Sequence, residues 1–190
     1  MSISGKETDF TGYDIVDSGV LTSGPPYEWA RSDAEKKFDY FVANADMRIA
    51  MLNRLTTHND GPHLDFTDES VAALNEWFVD RAEPDPDQQT WPGGLTAEWY
   101  SVVNDIKTYL GEILRRRKPN LQWKLWTRSK NDVDYQVPVI VGFTNVPNKA
   151  YHVDYGRIVA MLGMRIVKDE LRDDSRRILL DNLLADAERA

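Results

Sequence analysis

WYSVVNDIKTYLGEILRRRKPNLQWKLW, residues 99–126, contains the change of period that decides the fold. In its first half Trp99, Val102, Val103, Ile106, Leu110, Ile113 and Leu114 recur every three or four positions and form one stripe of an amphipathic helix. Gly111 lies beside that stripe. A mid-helix glycine costs roughly 1 kcal/mol relative to alanine, so a close contact with a neighbouring helix is expected there. Pro119-Asn120 ends the helix. Leu121, Trp123 and Leu125 then alternate with Gln122, Lys124 and Trp126, the period of a strand with one face inward.

Towards the C-terminus, a polar connection over 128–132 leads to a second alternating run, Tyr135, Val137, Val139, Val141 and Phe143. Pro138 has no N–H for a ladder, which predicts an edge at that point. A helix is predicted over 154–171 with Asp154 as N-cap. A last helix is predicted from about Asp174, its polar end fraying. Towards the N-terminus, Ser32 and Glu35 have capping-box spacing. They open a helix whose stripe, from Phe38 to Leu52, runs without a break to about Leu55. Another helix follows Thr67, with Asp68 and Glu69 at the positive end of its dipole. Pro84-Asp85-Pro86 ends it and opens a loop through Trp91-Pro92-Gly93-Gly94.

These elements predict an α+β fold, about five helices packed on a small antiparallel sheet built from a hairpin over 121–143. Two strands alone make a marginal sheet. A third strand is therefore expected from the N-terminal arm, residues 1–26, or from pairing across a dimer. That arm is read as loosely ordered and residues 27–190 as a single domain.

Composition excludes several classes. The chain has no cysteine, so thiolate metal sites, disulfides and cysteine nucleophiles are absent. It has no apolar run near the roughly 20 residues that span a bilayer and no signal-peptide h-region at its start. The expectation is a soluble, cytoplasmic protein without a membrane partner. A formal charge of −8 argues against a globally nucleic-acid-binding protein. No nucleotide-binding, hydrolase or zinc-protease motif occurs, which leans against an enzyme. Neither a metal centre nor a cofactor is expected.

Three groups of residues carry what chemistry the sequence offers. His58-Asn59-Asp60-Gly61-Pro62-His63-Leu64-Asp65 gathers imidazoles and carboxylates, but a zinc site needs three or four converging ligands, and the segment reads as a polar loop. His152 and Asp154 read as the neighbour and the cap of a helix. The third group is the basic island Arg115, Arg116, Arg117, Lys118, Lys124, Arg128 and Lys130, with Trp126, between Glu112 and Asp132, where no carboxylate intervenes. Arg forks and a Trp face suit an anion or a partner surface, although cations at a helix end also complement its dipole.

The leading expectation is a non-catalytic domain that binds another protein, by class-level analogy with small acidic bacterial toxin-neutralising and accessory factors. Nucleic-acid binding through residues 115–130 is the first alternative. A small-ligand binder or enzyme, with a pocket between sheet and helices near Tyr135, Tyr151 and His152, is the second.

Overall fold

The computed structural model describes residues 7–22, 24–86 and 94–190. Among these residues six α-helices and two strands follow one another as α1 (Arg31–Ala43), α2 (Ala45–His58), α3 (Asp68–Arg81), α4 (Ala97–Arg117), β1 (Gln122–Leu125), β2 (Pro138–Val141), α5 (Tyr155–Val167) and α6 (Ile178–Arg189). The architecture is α+β, helices packed on a small two-stranded antiparallel sheet. No helix among the described residues is long and apolar enough to cross a membrane.

Helix α4 is the axis of the molecule, packed against α2, α5 and α6. Its predicted stripe is buried throughout, with Trp99, Val102, Ile106, Leu110 and Leu114 fully enclosed. Removal of such side chains from water is the main stabilising term. The hairpin pairs Trp123 with Ile140 and Leu125 with Pro138. Pro138 thus sits at the end of its strand, where no ladder donor is lost.

The structure departs from the sequence reading at several elements, and α5 and α6 are shorter than predicted, Tyr155–Val167 and Ile178–Arg189. The helix predicted from Ser32 to Leu55 is two helices. Asn44 leaves helical geometry (φ −107°, ψ 7°), and its Nδ2 donates to Tyr40 O. No capping box forms at the start of α1, because the N-cap is Ala30 and Arg31 takes Glu35 into an ion pair. The third strand does not come from the described part of the arm. Ile140 and Val153 instead exchange backbone hydrogen bonds of 2.9 and 3.1 Å on the far side of β2. The end of α6 is tied down rather than frayed. Asn145 N–H donates to Arg189 O at 2.9 Å, and Thr144 Oγ1 donates to Ala190 O at 2.6 Å.

The cap expected at Asp154 is present, and Thr67, just before α3, caps that helix. Thr67 accepts from Ser70 N–H, and Asp154 accepts from Gly156 and Arg157 N–H. Most of the loop predicted after Pro84 lies outside the described residues, and its base is closed by a bridge between Pro84 and Leu95.

Candidate functional site

A cleft of about 470 Å³ opens between residues 15–18 of the arm and helices α1, α2 and α4. Trp29, Phe38, Phe41 and Tyr100 supply aromatic wall. Asn44 and Asn104 border it, and each donates its Nδ2 to a carbonyl of its own chain, Tyr40 O and Tyr100 O. That leaves the amide oxygens as acceptors.

The base of the cleft is a buried ion pair. Arg48 Nε and Nη2 donate to the two oxygens of Asp105 at 2.8 and 2.7 Å, and the Tyr13 hydroxyl donates to Asp105 Oδ2 at 2.6 Å. Arg48 Nη1 also donates to Asp14 O at 2.7 Å, and Ser101 Oγ accepts from Val16 N–H. The arm segment therefore forms one wall of the cleft because polar groups on α2 and α4 hold it there. Burial pushes the Asp105 carboxyl up to about 6, against the opposing pull of Arg48.

At the far end Gln136 adopts a left-handed backbone (φ 63°), uncommon for a residue with a side chain. Its Nε2 donates to Pro26 O and Trp29 O at 2.6 and 3.1 Å, which positions Trp29 in the wall. Lys37 lies over the Trp29 ring, 5.2 Å from its centroid.

A second polar group lies behind the hairpin. His152 is stacked on Trp126, ring centroids 3.8 Å apart, and its Nε2 is 3.0 Å from Asp134 Oδ2. Arg157 approaches Asp134 Oδ1 at 3.3 Å. Trp126 Nε1 donates to Asp132 Oδ2 at 2.7 Å, and that bond holds the Asp132 carboxyl below its ordinary range. Burial raises Asp134. Close by, Lys107 and Asp154 form an ion pair of 2.7 Å with both side chains buried.

The basic island is divided among different tasks. Arg115 pairs with Glu112, Arg117 pairs with Asp68 at 2.7 Å, and Arg116 lies 3.6 Å over the Phe66 ring. Lys118 is half-buried at the end of α4. Lys124 is exposed on β1, and Arg128 and Lys130 are exposed in the connection that follows. Among the described residues no ion pair is made by these last four cations. Trp126 does not share the exposed face of Gln122 and Lys124. It is 7% exposed, because the left-handed Gln136 opposite it interrupts the pleat and both Leu125 and Trp126 turn inward.

Tyr151 and His152, neighbours in sequence, enter different clusters. Tyr151 donates to Asp186 Oδ1 at 2.8 Å, and burial with this bond pushes its hydroxyl up to about 12. His58 pairs with Asp9 of the arm at 3.0 Å, while His63 is exposed and takes no part. The Arg48–Asp105 pair and the Asp132–Asp134–His152 group were not singled out from sequence. Asp105 does interrupt the apolar stripe of α4 beside Ile106, which is a signal of a buried partner. Comparisons with protein-family models, with curated proteins and with solved structures find no match.

Proposed function

We propose that the chain is a ligand-binding protein whose site is the cleft between the arm, α1, α2 and α4. The observation that carries this reading is a cleft of about 470 Å³ with aromatic walls above a buried, fully hydrogen-bonded ion pair. Small-molecule sites are typically ~300–1,000 Å³, mostly apolar, with a few fixed polar groups. Here the rings of Trp29, Phe38, Phe41 and Tyr100 favour a flat, largely apolar ligand, and the amide oxygens of Asn44 and Asn104 favour one with N–H or O–H donors on its edge.

The test is two-dimensional NMR of the full chain with a set of planar aromatic fragments bearing such donors. Saturable shifts in the Trp29 indole and in the Asn44 and Asn104 side-chain amides are expected, and Asn104→Leu should weaken them. If no fragment moves these signals at millimolar concentration, the reading is wrong.

A second reading, protein binding through the corner formed by Lys124, Arg128 and Lys130, is favoured by a separate observation. These cations are exposed and make no ion pair among the described residues, whereas Arg115 and Arg117 are neutralised internally. The partner surface would be acidic. Changing all three to Glu should abolish its capture, and an unchanged set of partners would count against the corner. A salt-sensitive shift of DNA or RNA by the unaltered chain would redirect the reading to nucleic acid, since phosphate contacts release counterions.

A further inference from the structure

Asp132, Asp134 and His152 come from two segments, the connection between β1 and β2 and the turn before α5. Their ligand atoms all lie within 4.8 Å of one another. Each is held by a group outside the trio. Trp126 Nε1–H donates to Asp132, Arg157 lies on the far oxygen of Asp134, and Nδ1 of His152 is 2.9 Å from Ala150 O.

The last contact fixes the chemistry of the imidazole. A carbonyl oxygen only accepts, so Nδ1 must carry the proton. A neutral His152 therefore turns the lone pair of Nε2 towards Asp134 Oδ2, 3.0 Å away. Two acceptors at that separation require a cation between them, either a proton or a metal. A ligating histidine whose other ring nitrogen donates to a carbonyl, and carboxylates steadied by neighbouring donors, are the usual surroundings of a protein-bound metal.

We propose that this trio is a binding site for a divalent transition-metal ion, with His152 Nε2 and one oxygen each of Asp132 and Asp134 as ligands. The nitrogen ligand favours zinc or another first-row metal over magnesium and calcium, which prefer all-oxygen sets. Bonds of ~2.0–2.2 Å around a tetrahedral ion separate neighbouring ligand atoms by about 3.3 Å, so the existing Nε2–Oδ2 spacing needs little change. Each carboxylate oxygen keeps a second lone pair beside its present hydrogen bond. On binding, the metal occupies the space between Nε2 and Oδ2, and any proton held there leaves to solvent. Trp126 and Arg157 remain as donors to the carboxylates. The positive charge of Arg157 opposes the ion and lowers the affinity.

The experiment is calorimetric titration of the chelator-stripped full chain with Zn²⁺ near neutral pH. One ion per chain is expected. Asp132→Asn should weaken binding by about 100-fold and Trp126→Phe, which removes a supporting donor and part of the ring stacked on His152, by about 10-fold. His58→Ala should leave it unchanged. The proposal is overturned if the unaltered chain shows no saturable binding, if affinity survives both Asp132→Asn and His152→Ala, or if His58→Ala abolishes it. Circular dichroism of each variant separates loss of the ion from loss of the fold. If His152→Ala does not fold, Asp132→Asn, which keeps an acceptor for Trp126, decides alone.

Discussion

The indole ring of Trp123 on β1 fills the space in which a β-carbon at Gly111 on α4 would stand. The close approach anticipated at this glycine is thus made by a strand tryptophan, not by a helix. Trp123 is fixed there from two sides, by its Nε1–H donated to Glu112 at 2.8 Å and by the edge-on ring of Phe41, 4.8 Å between centroids.

Gly111→Ala sets two effects against each other. Alanine gains roughly 1 kcal/mol in helix propensity, but forcing a methyl group into a packed contact costs about 1–3 kcal/mol. Because the ring is held on both sides it cannot simply move away, and the packing cost should win by up to about 2 kcal/mol. Urea denaturation measures the loss. A double-mutant cycle with Trp123→Leu should recover part of it, showing that the two positions are coupled.

Arg48 and Asp105 predict both a magnitude and a pH dependence. Arg48→Met leaves a buried carboxylate alone and should cost about 3–5 kcal/mol, while Arg48→Met with Asp105→Leu should regain much of that. The folded-state value of Asp105, about 6, lies above its ordinary 3.8. Between those values the folded chain holds more protons than the unfolded one. This group's contribution is therefore complete below its ordinary value and is lost as pH rises through about 6. The slope is at most about 1.4 kcal/mol per pH unit. Chemical unfolding at several pH values should show it in the unaltered chain and not in Asp105→Asn.

Asp154 has two duties, accepting from the first N–H groups of α5 and neutralising the buried Lys107. Asp154→Asn keeps an acceptor for the helix and removes the charge. Asp154→Ala removes both, and should be the more damaging by about 1 kcal/mol, the usual value of an N-cap. Both variants should lose about 3–5 kcal/mol from the uncompensated ammonium. Adding Lys107→Met to Asp154→Asn should restore most of that loss, as read from thermal midpoints.

Asn75 joins α3 to the start of α6. Its Nδ2 donates to Ser175 O at 2.8 Å, and its Oδ1 accepts from Leu179 N–H at 2.9 Å, in a fully buried position. Asn75→Ala orphans two backbone groups and should cost about 2–6 kcal/mol, since each unsatisfied buried group costs ~1–3. Amide exchange at Leu179 should accelerate in step with the fall in the denaturation midpoint.

What was legible in the sequence was local. The stripe of α4, the switch to period two at Leu121, the helix start after Thr67 and the cap Asp154 depend on neighbours within a turn or two, and each is found as read. The break at Asn44 was not legible, because the apolar stripe crosses it with no proline or glycine to mark it. The cleft and the Asp132–Asp134–His152 group were beyond reach for another reason. Arg48 and Asp105 are 57 residues apart, and His152 meets Asp134 only because Val153 docks on Ile140. Trp126 misled because alternation assumes an unbroken pleat, and one left-handed residue opposite it undid that assumption.

The division of one predicted helix into two has a kinetic consequence. Within α1 only Ala34 is buried, whereas α2 encloses Ile49, Met51, Leu52 and Leu55 in the core. Segments with few buried contacts open locally at a free energy well below that of global unfolding. The break at Asn44 lets α1, with its Phe38 and Phe41 wall, open while α2 stays closed. Deuterium should therefore enter α1 long before α2, and a molecule seated in the cleft should reveal itself first by slowing that uptake.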